Sequence, residues 1–122
     1  MILVDTSVWI DFLAGRPAAA ELKALLVADE IACHPAVRGE LALGTIAERT
    51  RILTLLESLP RAAAVDDEGV MGLIAKGRLH GTGIGWVDAH LLASAERGRL
   101  ALWTHDRRLE KVARQLGLAR LP

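Results

Sequence analysis

Residues 2–4, Ile-Leu-Val, form a short apolar run that stops at Asp5, the pattern of a buried strand. Residues 7–13 predict a short helix, broken by Gly15, Arg16 and Pro17. Residues 17–28 are rich in Ala and Leu, and Pro17 suits a first helical turn. A second strand is expected at 31–33, after which Pro35 opens a helix that runs to Leu43 and ends at Gly44. Residues 45–59 predict another helix before Pro60, and 62–65 a weak third strand. Asp66 or Asp67 can cap the helix that follows, through about Leu79. Beyond a glycine-rich loop at 81–85 come a helix at 86–97, a clear strand at 100–103, a helix at 106–116 and an edge strand at 118–121.

Strands alternating with helices predict an α/β fold with right-handed crossovers and a central, mostly parallel sheet covered by helices on both faces, a three-layer sandwich. The 122 residues fit a single domain over 1–122, with no repeat, low-complexity tract or linker. In such sheets a site lies outside the carboxyl ends of the strands. Two reactive segments directly follow the clearest strands: Asp5, and Thr104 to Asp106.

Composition narrows the chemistry. No apolar run approaches the ~20 residues of a membrane-spanning helix, and the start of the chain lacks the features of a signal peptide. The single cysteine, Cys33, excludes an internal disulfide framework and is expected to be a buried, inert thiol in a soluble, cytoplasmic protein. The 15 Lys and Arg balance 15 Asp and Glu, which argues against broad duplex binding but not against one local nucleic-acid groove. With three Trp, one Phe and no Tyr, an aromatic platform for stacking bases is not expected.

The acidic residues differ in what surrounds them. Asp5 precedes Thr6 and Ser7, and three capping residues in a row exceed what one helix end needs. Asp106 precedes a helix whose Leu109, Val112, Ala113 and Leu116 keep core-facing spacing, so a plain N-cap competes with a functional role. Thr104 and Asp106 flank His105 and, in extended chain, point to the same side. Asp88 shares its helical stripe with Leu91, Leu92 and Ala95, which turns a carboxylate inward, where it is costly unless compensated. Glu40 shares a helix side with Ala36, Val37 and Leu43. Asp11, beside Ser7, Ala14 and Gly15, is expected to be solvated, while Asp66 and Asp67 are accounted for as caps.

If Asp5, Glu40, Asp88 and Asp106 meet, two unit charges ~6 Å apart repel by about 3 kcal/mol at an effective dielectric of ~20. Six pairs reach roughly 15 kcal/mol, comparable to the ~5–15 kcal/mol stability of a domain. Bound cations relieve this best, and all-oxygen ligands select Mg²⁺ or Mn²⁺ over zinc. Such ions support phosphodiester hydrolysis, with Thr6, Ser7 and Thr104 available to hold a water or a phosphate oxygen. His34, His80, His90 and His105 lack zinc-ligand spacing; His90 and His105 adjoin proposed ligands but read as surface residues. The Gly81-Thr82-Gly83-Ile84-Gly85 loop follows a helix and lacks dinucleotide-binding spacing. Arg107 and Arg108 head a helix, where they either face substrate phosphate or form a solvated pair.

Four segments together carry a family resemblance: Leu3-Val4-Asp5-Thr6-Ser7-Val8-Trp9-Ile10, the Glu40-Leu41 helix, Gly85-Trp86-Val87-Asp88-Ala89-His90-Leu91-Leu92-Ala93, and Leu102-Trp103-Thr104-His105-Asp106. In order and separation the chain resembles the PIN-domain ribonucleases, specifically the VapC-type toxins of toxin–antitoxin pairs. The resemblance implies a PIN-like α/β sandwich and a Mg²⁺- or Mn²⁺-dependent endoribonuclease that hydrolyses RNA. It places Asp5, Glu40, Asp88 and Asp106 as the catalytic, metal-binding quartet, with Ser7 and Thr104 at its hydroxyl positions. It further implies a homodimer and a small cognate VapB-like antitoxin whose tail enters the site. The aromatic often found shortly after the last acidic residue is absent; Leu109 occupies that region.

Two other readings compete. A phosphoacceptor receiver domain shares the length and sheet type, but needs clustered acids at the first strand and a lysine after a late strand. Lys23, Lys76 and Lys111 all fall in predicted helices. A catalytically idle binding module of the same fold is the other.

Overall fold

The computed structural model describes residues 1–120. Strand β1 (Ile2–Val4) leads into α1 (Thr6–Leu13) and α2 (Ala18–Val27), then β2 (Ile31–Ala32), α3 (Pro35–Leu43), α4 (Arg49–Ser58), α5 (Asp67–Gly77), α6 (Trp86–Gly98), β3 (Ala101–Trp103) and α7 (Arg107–Gln115). The three strands form a parallel sheet of order β2-β1-β3. Ile2 stands opposite Ile31 on one side and Ala101 on the other, and Val4 opposite Trp103.

The apolar run of β1 explains its central place. Successive strand residues point to opposite faces of a sheet, yet Leu3 and Val4 are both fully buried. Helices therefore cover both faces, as a parallel sheet requires. Trp9, Leu22, Leu41, Leu91, Leu92, Leu102 and Leu109 fill the two layers.

Two predicted strands, the weak third strand and the edge strand at the end of the chain, contract to single parallel bridges. The expected strand at 62–65 is replaced by a bridge between Cys33 and Arg61, with Cys33 N–H donating to Pro60 O and Ala62 N–H to Cys33 O. Pro60 has no N–H to extend the ladder, Ala63 and Ala64 have weak strand preference, and Asp66 already caps α5. The expected strand at 118–121 narrows to a bridge between Leu102 and Ala119; Leu121 lies outside the described residues. Helix α4 starts at Arg49 rather than residue 45, because Glu48 adopts a left-handed φ of 50° that interrupts helical backbone. The other helix ends differ from expectation by one or two residues, the usual latitude of frayed termini.

This topology sets the position of the site. From β1 the chain crosses to β2 on one side and later returns to β3 on the other. The sheet therefore has its topological switch point between β1 and β3, the place where sheets of this kind leave a crevice at the carboxyl ends of the strands.

Candidate active site

Asp5 and Thr104–Asp106 emerge from β1 and β3 at that crevice, and the last rung between them is the Asp5 N–H bond to Trp103 O at 2.9 Å. Asp5 occupies the N-cap position of α1, but its side chain caps nothing. Its Oδ2 instead accepts hydrogen bonds from Ser7 Oγ and Thr104 Oγ1, each at 2.7 Å. The two hydroxyls lie 3.3 Å apart, and each also accepts a backbone N–H: Ser7 Oγ from His105 and Thr104 Oγ1 from Asp106, both at 3.0 Å. Residues almost a hundred positions apart thus form one fixed cradle around a carboxylate that is only 7% exposed.

The other three acids approach from helices. Asp106 does cap α7, with Oδ1 accepting Leu109 N–H at 3.0 Å. Asp88 sits in the first turn of α6, where its Oδ2 accepts Gly85 N–H at 2.9 Å. Both unspecialised structural roles are therefore real, yet each occupies one oxygen. Glu40, exposed on α3, accepts from Thr6 Oγ1 at 2.7 Å through Oε1. In all four carboxylates, one oxygen is held by the protein and the other takes no hydrogen bond among the described residues.

The electrostatics are uncompensated. Seven other acidic residues form ion pairs, but none of the four does among the described residues. Burial pushes the Asp88 carboxyl above its ordinary value; the Gly85 N–H opposes this, while the charges of Asp5, Asp106 and Glu40 add to it. Asp88 therefore lies within electrostatic reach of the other three acids. Among the described residues no three Asp, Glu, His or Cys side chains are gathered closely enough to hold one metal ion between them. An open set of oxygen donors suits a hard ion that keeps several waters and leaves room for a phosphate.

Several expectations change. Asp11, expected to be solvated, is partly buried: it bonds His105 Nδ1 at 2.6 Å and pairs with Arg16 at 3.3 Å. This contact ties α1 to the turn whose His105 N–H holds Ser7, so His105 is not a free surface residue either. The polar stripe of α1 hid this, because tertiary contact rather than periodicity covers Asp11; its i, i+4 spacing from Ser7 was the available signal. Leu43, expected on the inward side with Glu40, is 90% exposed. Cys33 is buried, and burial pushes its thiol up to about 11, as an inert thiol requires. His34 caps α3 through Nδ1, which accepts Ala36 N–H, and burial lowers its basicity.

Comparisons with known proteins bear on family and fold. The PIN domain family model matches residues 2–115. Over 120 residues the chain is 48% identical to Ribonuclease VapC32 of two Mycobacterium tuberculosis strains, covering 98% of this chain and 95% of each relative. The fold is similar to that of PAE2754 from Pyrobaculum aerophilum, with TM-score 0.60 and 23% identity over 91% of this chain and 83% of that one. It is also similar to a chain of FitAB bound to an IR36 DNA fragment, with TM-score 0.63 and 20% identity over 98% and 92%. A chain of FitAcB from Neisseria gonorrhoeae gives TM-score 0.57 and 24% identity over 93% and 94%. At these identities the structural likeness speaks for fold alone.

Proposed function

The chain belongs to the PIN-domain family, in its VapC-type ribonuclease branch, and on that premise we propose that it is the endoribonuclease toxin of a toxin–antitoxin pair. The observation that carries the proposal is the buried Asp5 carboxylate, aimed by two hydroxyls and paired with no cation, at the head of an acidic crevice. A nuclease site of this kind is built for divalent metal. Asp5, Asp88, Asp106 and Glu40 would hold Mg²⁺ or Mn²⁺ through the oxygens that the protein leaves unengaged. When bound, such an ion supplies charge neutralisation at the phosphodiester and activation of water.

The chain's own residues supply orientation. Ser7 and Thr104 fix the Asp5 carboxylate, and the His105 and Asp106 N–H groups fix those hydroxyls in turn. Asp106 and Asp88 are locked by backbone N–H groups, so the donor set is preorganised rather than assembled around the substrate.

The proposal extends to partners. A small antitoxin would block the site with its tail. An apolar groove of about 360 Å³ supports this, since it is lined by Ile10, Leu13, Leu41 and Ile46 and reaches Glu40. A homodimer and a cytoplasmic site of action rest on the family resemblance; no helix among the described residues is long and apolar enough to cross a membrane. A receiver-like reading has no support in the geometry: one acid follows β1, and Lys23, Lys76 and Lys111 all lie on helices.

Purified protein freed of antitoxin should cleave a structured RNA in Mg²⁺ or Mn²⁺ and stop with chelator. Asp5→Asn, which keeps acceptors for Ser7 and Thr104, should lower the rate by at least about a hundredfold. Cleavage by that variant at the wild-type rate, or cleavage that persists in chelator, refutes the proposed chemistry. An idle binding module would bind Mn²⁺ without cleaving.

A further inference from the structure

Arg107 and Arg108 head α7 directly after Asp106, and Arg108 has a defined seat. Arg108 lies across the loop at 81–85 and rests on Gly83. A Cβ at Gly83 would stand 2.9 Å from Arg108 Cδ, 3.1 Å from Nη1 and 3.3 Å from Nε. The seat exists because that residue is glycine, which also adopts a left-handed φ of 85°. The two partners belong to the two loops that hold the acids. Gly83 lies two residues before the Gly85 N–H that fixes Asp88, and Arg108 lies two residues after Asp106.

The guanidinium is placed without being used. Arg16, Arg38, Arg51, Arg114 and Arg120 each pair with a carboxylate, whereas Arg108 makes no ion pair or side-chain hydrogen bond among the described residues. Arg61, Arg78, Arg97, Arg99 and Arg107 are likewise without an ion pair among the described residues; Arg78, Arg97 and Arg99 sit at the C-terminal ends of α5 and α6, where helix carbonyls attract a cation. Arg108 sits in the first turn of α7, where the helix dipole repels it, so its position gains nothing from the fold itself. A nucleic-acid backbone approaching four carboxylates is drawn in more readily where, besides the metal proposed above, the protein offers a cation of its own. A planar fork of N–H donors is the group that matches phosphate oxygens two at a time.

We propose that Arg108, seated on Gly83, grips a phosphate of the RNA beside the acidic crevice and so sets the register of the strand. This rests on the ribonuclease reading above. It makes Arg108 a substrate-binding residue and Gly83 its positioning residue, neither of them a metal ligand.

The test uses an uncleavable 2′-O-methyl RNA oligonucleotide, titrated against the whole protein in Mg²⁺ over a series of salt concentrations, with Mn²⁺ binding measured separately without RNA. Arg108→Ala should weaken RNA binding about tenfold and reduce the slope of log affinity against log salt by about 0.7, one single-strand phosphate contact. Mn²⁺ affinity should not move. Arg108→Lys should recover only part of the loss, because an ammonium cannot make the forked contact. Gly83→Ala, strained at that left-handed φ in either background, should weaken RNA binding clearly more with Arg108 present than when Arg108 is already alanine.

Arg108→Ala binding RNA within about twofold of wild type with the same salt slope overturns the inference; if wild type still cleaves, the ribonuclease reading survives it. Equal losses from Gly83→Ala with and without Arg108 overturn the seat. Wild-type protein that neither binds nor cleaves RNA overturns both.

Discussion

Asp88 joins two roles in one residue: with one oxygen it stabilises the start of α6, and with its charge it adds to the repulsion among the acids at the crevice. Burial is the main reason its carboxyl is raised, with the other three acids adding to it. A carboxyl raised in the folded state keeps its proton after the unfolded chain has released it. Stability therefore falls as pH climbs from the ordinary value of 3.8 through the raised one. Asp88→Asn keeps an acceptor for the Gly85 N–H and removes the charge. In chelator its thermal midpoint at neutral pH should lie above that of wild type, and the gap should close as pH approaches the ordinary carboxyl value. A wild-type midpoint equal to or higher than the variant's at neutral pH contradicts this. Asp88 also shows what a residue's neighbours in sequence can reveal, since Leu91, Leu92 and Ala95 already placed it on an inward stripe. Asp11 shows the limit: its ligand, His105, is 94 residues away.

Helix α6 is where packing exacts most from its residues. Ala89 and every position from Leu91 to Ala95 are buried, so the middle of the helix is covered all round rather than on one face. Ser94 is fully buried there, and its Oγ has no hydrogen-bond partner among the described residues. An unsatisfied buried hydroxyl is a cost without a return, and alanine at this site removes it with little change in volume. Ser94→Ala should stabilise the protein by about 1 kcal/mol, read from the urea midpoint at unchanged slope. A lower midpoint would mean that the hydroxyl is bonded in solution. The contrast with α7 is instructive, because α7 buries only Leu109, Val112 and Ala113 and keeps its basic residues outward. One helix braces the core, while the other presents its first turn to the crevice.

The whole molecule is organised by the order in which three short strands are laid down. A sheet of order β2-β1-β3 leaves a crevice between β1 and β3, and the fold delivers Asp5 and Asp106 to it directly and Glu40 and Asp88 from α3 and α6. Four unpaired carboxylates oppose the compact state, so a cation that binds there is coupled to folding. At a Mn²⁺ concentration about a hundred times its dissociation constant, wild type should gain about 2.7 kcal/mol of stability. The Asp5→Asn, Asp88→Asn double variant should gain far less at the same concentration. Thermal unfolding against Mn²⁺ reads both. Equal stabilisation of the two proteins would place the ion elsewhere.

By itself the sequence determined the alternation of strands and helices, a cap at Asp66 or Asp67, the competition between cap and function at Asp106, the inward stripe of Asp88 and the identity of the acids that follow strands. These are local: strand and helix periodicities of two and 3.6 residues, and the capping preferences of single residues, are written in neighbouring positions. The tertiary structure alone decided that Ser7 and Thr104, 97 residues apart, hold the same carboxylate oxygen. It also decided that Asp11 braces His105, that Arg108 rests on Gly83, and that both sheet edges end in single bridges. Such pairings arise when crossovers bring distant segments to one end of a sheet. No local pattern records them, because each partner alone is an ordinary polar residue or glycine.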